Sequence, residues 1–341
     1  MPTYVAFGLR LHASQPFPGL RPATPSTAME SNVADGDIIL ECQPDWSFVA
    51  PSQQHEVVYI SSECMDNHQP ALQVWKLAGG VCYRFMYADG VEFVVSGNGD
   101  RIGIDWSSSL TLADAMPYLL GPVLAFVLRL RGIVSLHASA VAIDGRAIVL
   151  MGPMGAGKST TAAAFARAGF AILSDDVVTL IDRDGEFIVQ PGYPGLRLWP
   201  DMAEALLGDD NHLPHIVAIW DKRLLSLNSS QYAFQERPLS VGAIYLLGDR
   251  SDDANAPLTA QLPARDALLQ LLANSYVKYL LDRPMRIHEF DLLSRLIESE
   301  IPVRRVIAHT DSSLLPRLCE TIVDDFRNLT HSNSTQRLQN N

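Results

Sequence analysis

The chain has 341 residues, of which 48% are hydrophobic and 19% charged, and its formal net charge is −12 at pH 7. The length exceeds one average domain, and the composition is that of a globular protein with a real core. An excess of carboxylates is a poor match to general nucleic-acid binding, which needs Lys and Arg to neutralise phosphates. The four cysteines, Cys42, Cys64, Cys82 and Cys319, form no C-x-x-C pair; this argues against a zinc site built from them and reads as reduced thiols in a cytosolic protein.

Residues 1 to about 110 are expected to form a small antiparallel β domain. Tyr4–Leu11, Gln73–Leu77, Val81–Met86 and Val91–Val95 alternate apolar and polar side chains, the period of a strand with one buried face. Gly79-Gly80 and Asp89-Gly90 suit tight hairpin turns. Residues 12–35, rich in Pro, Ser, Ala and Thr, read as a long loop. Met1–Arg10 is not a basic run followed by an apolar stretch, so no secretory leader is expected.

Thr111 and Asp114 have N-cap and first-turn character and open a helix. The apolar run Met116–Leu130 contains Pro117, Gly121 and Pro122, and ends at Arg129 and Arg131. It is short for a membrane span and reads as a buried or interface helix, so no membrane association is expected. From Ser135 onward strands and helices mix. Leu258–Leu281 and Arg286–Glu300 read as helices with a break at Pro284. The Asn-, Ser- and Gln-rich tail from Asn328 is expected to be disordered. The organisation is then a β-rich domain over residues 1–110, an α/β domain over 111–327 and a tail over 328–341.

The α/β region carries the chemistry. Gly152-Pro153-Met154-Gly155-Ala156-Gly157-Lys158-Ser159 matches G-x-x-x-x-G-K-[ST] in full. Ala147–Met151 before it is an apolar strand, and Thr160–Ala168 after it is a helix former ended by Gly169. Strand, glycine loop and helix together make a phosphate seat. The glycines let successive N–H groups point inward, and the helix start adds partial positive charge. Lys158 is expected to bridge the β- and γ-phosphates of ATP and the Ser159 hydroxyl to ligate Mg²⁺, with Thr160 completing the nucleotide-binding run. Ala162, Ala163 and Ala166 give the helix a small face for close packing on a sheet.

Leu136–Ile143 and Arg146–Met151 read as a hairpin turned at Asp144-Gly145. If Ile143 faces Arg146, His137 falls beside Gly152, close to the phosphates; a purely structural role for this histidine stays open. Phe170–Leu173 reads as a strand parallel to the glycine-loop strand, which puts Ser174, Asp175 and Asp176 at the carboxyl edge where ligands bind. One carboxylate can hold Mg²⁺ and the other can accept a hydroxyl proton. Asp175, first after the strand, is the expected base, and Asp176, with Ser159, the expected metal ligand. The pair would also serve as an Asx turn feeding Val177–Ile181.

The order and spacing of Leu136-His137-Ala138, Gly155-Ala156-Gly157-Lys158-Ser159 and Leu173-Ser174-Asp175-Asp176 resemble the bacterial HPr serine kinase/phosphorylase family over about residues 135–182, with fainter similarity to about residue 325. That family's catalytic domain resembles phosphoenolpyruvate carboxykinases, which implies a mixed rather than doubly wound sheet. Where the family has Glu-x-Arg-Gly-Leu-Gly, this chain has Gln190-Pro-Gly-Tyr-Pro-Gly-Leu-Arg197-Leu-Trp-Pro200. Tyr4–Leu9 and Gly192–Asp201 look more like the HPr-kinase-like proteins of lasso-peptide biosynthesis. The resemblance implies in-line transfer from ATP to a serine or threonine hydroxyl of a protein or peptide, such as a lasso-peptide precursor. The residues leave open a nucleotide-sensing module, an ATPase or a small-molecule kinase, pyrophosphate as donor, and a homo-oligomeric state. Arg197, Lys222 and Arg223 are candidate phosphate or substrate clamps. Asp282–Arg286 reads as a helix–helix turn, and His212 and His215 are weak candidates for metal ligation.

Overall fold

The structure, a computed structural model, describes residues 1–24, 36–44, 55–65, 68–207, 213, 215–217, 220–228 and 231–339. The chain divides into two compact units. The first comprises Met1–Ser135, Pro214–Lys222 and Tyr276–Glu289; the second comprises Leu136–Leu213, Arg223–Ser275 and Phe290–Asn341. The first unit therefore extends past residue 110 and takes in two later segments.

The first unit contains β1 (Thr3–Ala6), β2 (Leu9–Ala13), β3 (Ile38–Cys42), β4 (His55–Ile60), β5 (Leu72–Leu77), β6 (Cys82–Tyr87), β7 (Val91–Ser96) and β8 (Arg101–Trp106). They form one sheet in the order β1-β2-β3-β8-β7-β6-β5-β4. The alternating runs and glycine turns placed β5, β6 and β7 correctly. Two expectations fail. Tyr4–Leu11 is a hairpin rather than one strand, because Phe7 and Gly8 take φ of 58° and 79° and reverse the chain. The sheet is also mixed, since β3 pairs parallel with both β2 and β8.

Helix α1 (Leu112–Tyr118) opens on the Thr111–Asp114 pair, with the Asp114 carboxylate accepting from the Thr111 N–H at 2.8 Å. A π turn over Leu119–Val123, at Gly121 and Pro122, joins it to α2 (Leu124–Leu130). Leu112–Leu130 is long and apolar enough to cross a membrane, yet its most apolar window is 83% buried inside the protein. Phe126 meets Tyr83 and Phe85 edge-on at 4.9 and 5.5 Å between centroids, so the run builds a core. At the end of α2 the Arg129 guanidinium donates to the Glu289 carboxylate at 2.6 Å and to the Ser135 carbonyl at 2.8 Å, fully enclosed.

The second unit is mixed α/β. Its strands are most of β9 (Val134–Ile143), β10 (Arg146–Met151), β11 (Ile172–Ser174), β12 (Val177–Arg183), β13 (Glu186–Val189) and β14 (Gly195–Leu198); then, beyond β15 (His215–Val217), they are the later part of β16 (Trp220–Ser226), β17 (Leu239–Ser251), β18 (Leu258–Gln261) and β19 (Val303–His309). The main sheet runs β10-β9-β12-β13-β17-β19-β18, with β11 beside β9. β10 also pairs with β17, which closes five strands into a ring. Helices α3 (Lys158–Arg167), α4 (Pro200–Leu207) and α5 (Ala264–Ala273) follow in order, then the later part of α6 (Arg283–Glu298) and α7 (Leu315–Gln339). The small face expected on α3 is present: Ala162, Ala163 and Ala166 are buried in the core with Ile148, Leu150 and Phe326.

Leu258–Gln261 is a strand, not the start of a helix, because it pairs with β19; pairing overrides a weak local preference. Pro284 does not break a helix. It sits in the first turn of α6, where its missing N–H costs nothing. Asp282 precedes that turn and accepts from the Met285 N–H at 2.9 Å. The tail is also not irregular from Asn328, since α7 continues to Gln339. Leu318, Ile322 and Phe326 bury the first part of that helix, and propagation from a formed helix is cheap.

Candidate functional site

Three parallel strands define one edge. β10 pairs parallel with β17, and β17 with β19, so their carboxyl ends emerge together, where such sheets bind ligands. β9 returns antiparallel, with Arg146 opposite Ile143 and Met151 opposite Ala138. Asp144 and Gly145 take φ of 48° and 75°, the left-handed pair of a type I′ turn. One further step along this register sets His137 against Gly152, as the turn implied. β11 is antiparallel to β9, so it runs in the direction of β10 with β9 between them, and Ser174–Asp176 end at the same edge.

The glycine loop spans β10 to α3. At Gly152 a Cβ would lie 2.3 Å from the Leu247 carbonyl oxygen of β17, so only glycine fits beside that strand. Gly157 is the N-cap of α3 with φ 91°, a conformation glycine adopts without strain. Lys158 is buried, and its ammonium donates to the carbonyls of Gly152 at 2.8 Å and Pro153 at 3.0 Å. Met154 faces solvent.

Asp175 and Asp176 have different surroundings. Asp175 is 1% exposed. Its Oδ1 accepts from Ser139 Oγ at 2.6 Å and Ser159 Oγ at 2.9 Å, and its Oδ2 accepts from the Arg197 N–H at 3.0 Å. Asp176 adopts φ 69°, an unusual conformation for a non-glycine residue. Its carboxylate lies 3.1 Å from His137 Nδ1 and 3.2 Å from Arg197 Nη1. The partner of Ser159 is therefore Asp175, not Asp176, the reverse of the order expected from position along the chain.

Arg197 links the two carboxylates. Its Nε donates to the Tyr193 hydroxyl at 2.7 Å, and the guanidinium carbon stands 5.6 Å from the Tyr193 ring centroid. Burial, countered by Arg197 and reinforced by the two aspartates, pushes the Tyr193 hydroxyl up to about 12, so it stays a neutral acceptor for Arg197 at physiological pH. The loop, His137, the aspartates and Arg197 are thus brought together. Ser139 and Tyr193 join them unannounced, although Ser139 was findable: positions 137 and 139 share one strand face.

The remaining candidates lie on other strands or outside the described residues. Arg223 lies on β16 opposite Leu198, and Lys222 precedes it on the same strand. His215 opens β15; its side chain and all of His212 lie outside the described residues. Among the described residues no cluster of three or more His, Cys, Asp or Glu is placed to hold a metal. Ser159 Oγ and Asp175 Oδ1 offer two hard oxygens side by side, which fits Mg²⁺, an ion commonly held by one or two carboxylates and completed by substrate phosphates.

No protein-family model and no curated protein sequence matches the chain. Among solved structures, the HPr(Ser) kinase/phosphatase from Coxiella burnetii matches at 16% identity and a TM-score of 0.33, over 60% of this chain and 96% of that one.

Proposed function

We propose that the chain is an ATP-dependent kinase that transfers the γ-phosphate to a serine or threonine hydroxyl of a protein or peptide. The observation that carries this reading is the convergence at one sheet edge of a G-x-x-x-x-G-K-S loop and two carboxylates in different environments, one on the loop serine and one beside a histidine and an arginine. The loop N–H groups and Lys158 hold the phosphates. Ser159 and Asp175 are the residues that would hold Mg²⁺, which when bound offsets phosphate charge. Asp176, more accessible and aligned by His137, takes the acceptor proton. As the hydroxyl oxygen bonds to the γ-phosphorus, the bond to the β–γ bridging oxygen breaks, ADP leaves and the proton rests on Asp176. Arg197 steadies both carboxylates. In this chemistry positioning and charge stabilisation are the main task.

The motif resemblance to lasso-peptide kinases supports a peptide serine as the acceptor. The test is incubation of the full-length protein with ATP, Mg²⁺ and the proteins and peptides encoded beside it, read by mass spectrometry. The expected result is a gain of one phosphate on a serine or threonine. ATP hydrolysis without such a product would make the chain an ATPase. ATP binding without turnover would make it a sensing module.

A further inference from the structure

Tyr193 sits in the segment Pro191-Gly192-Tyr193-Pro194-Gly195, which is moored on both sides. The Gly192 N–H donates to the Leu173 carbonyl of β11 at 2.7 Å, and the Leu227 N–H, just past β16, donates to the Pro194 carbonyl at 3.0 Å. Between these ties the Gly195 N–H donates to the Tyr193 carbonyl at 2.8 Å. A Cβ on Gly195 would stand 3.0 Å from Tyr193 Cε2 and 2.9 Å from Leu224 Cδ1, so glycine leaves the space that the ring fills. The two prolines restrict the backbone further. Tyr193 is thereby enclosed, at 3% exposure, and its hydroxyl is a fixed acceptor.

That hydroxyl accepts from Arg197 Nε at 2.7 Å, and Arg197 Nη1 reaches the Asp176 carboxylate at 3.2 Å. The same arginine meets Asp175 with its backbone N–H, at 3.0 Å. Strand pairing of Arg197 with Leu224 of β16 fixes that N–H whatever the side chain does. The two contacts are therefore separable. An arginine stem is long and its rotamer entropy opposes a single pose, but the guanidinium itself is a rigid fork. With Nε held, the direction of Nη1 is held as well.

We infer that Tyr193 is a positioning residue for phosphotransfer, acting through the Arg197 guanidinium to aim the Asp176 carboxylate at the incoming hydroxyl. This rests on the kinase reading of the same site. Tyr193 then serves the step at Asp176, while the glycine loop and Lys158 serve the donor and the Arg197 backbone serves Asp175.

Phosphotransfer by the full-length protein, from ATP to the proteins and peptides encoded beside it, tests this. Tyr193→Phe removes the hydroxyl and keeps the buried ring, and thermal melts check that the variant is folded. It should lower kcat about 10- to 100-fold, the scale on which a misaimed reacting group slows a reaction, and leave KM for ATP unchanged. Raised Mg²⁺ or Mn²⁺ should not restore the rate, because Asp175 keeps its donors. Arg197→Ala should lower kcat at least as far, and adding Tyr193→Phe to it should change kcat by less than about twofold, as for two members of one unit. Wild-type kcat in Tyr193→Phe, recovery of that variant by metal, or losses that multiply in the double variant would each overturn the inference and leave the kinase reading standing. A wild-type protein that transfers no phosphate removes the kinase reading and the inference with it.

Discussion

Asp175 and Asp176 are neighbours in sequence with different jobs open to them. Three donors converge on the enclosed Asp175, one of them the loop serine. A carboxylate so enclosed is shut off from an incoming hydroxyl, and its bond to the loop serine places it beside a metal ligand. Asp176, held by His137 and Arg197, keeps access to an incoming hydroxyl. Asp175→Asn should therefore lose phosphotransfer and recover part of it with raised Mg²⁺ or with Mn²⁺. Asp176→Asn should lose about 10²–10⁴-fold, the usual worth of a general base, with no recovery. Rates measured against metal concentration for both variants decide the assignment; rescue of Asp176→Asn alone would restore the order suggested by the chain. That order could not be settled from sequence because Ser139 and the Arg197 N–H, which immobilise Asp175, come from β9 and β14 and meet it only in the fold.

At the scale of elements, two ion pairs tie helices down. Arg129 at the end of α2 is enclosed with Glu289; burial pulls the guanidinium below its ordinary value, and Glu289 opposes that. Removing one partner of such a pair leaves a buried charge, at about 3–5 kcal/mol. Glu289→Leu should lower the unfolding free energy obtained from a urea titration by that amount, and Arg129→Met combined with Glu289→Leu should recover most of it. In the second unit, Asp325 of α7 accepts from Arg304 of β19, Thr259 of β18 and Tyr245 of β17. Burial alone would raise this carboxyl, but those donors and the Arg304 charge hold it below its ordinary value. A depressed folded pKa stabilises above the unfolded value and loses that contribution as pH falls through the folded one. The stability gap between wild type and Asp325→Asn should be full at pH 7 and shrink below about pH 4, as thermal melts across that range would show. Elements fixed by local chemistry were legible: Asp144-Gly145 set the β9–β10 register, and Thr111 with Asp114 set the start of α1. Elements fixed by distant partners were not, as with the four-residue β18, which exists because β19 is there to pair with it.

At the scale of the molecule, the boundary inferred near residue 110 separates chain segments that fold together. Leu112–Leu130 belongs to the same compact unit as β1–β8, and Phe126 needs Tyr83 and Phe85. A fragment beginning at Leu110 should expose this apolar run and elute as aggregate on gel filtration, whereas the full chain should not; a discrete, folded fragment would contradict this. The length gave two domains as a starting estimate, but it carries no information about segments that return to an earlier unit, as Tyr276–Glu289 does. The ring of strands has a consequence for motion. β10 is hydrogen-bonded on both sides, by β9 and β17, and Ala147–Met151 are fully buried. Its amides should exchange with solvent deuterium only when the whole second unit opens. The glycine loop hangs directly from that strand, so slow and fast exchange should meet within a few residues. A bound nucleotide should then protect Gly155–Ser159 strongly, while β10 slows only as far as the whole unit is stabilised.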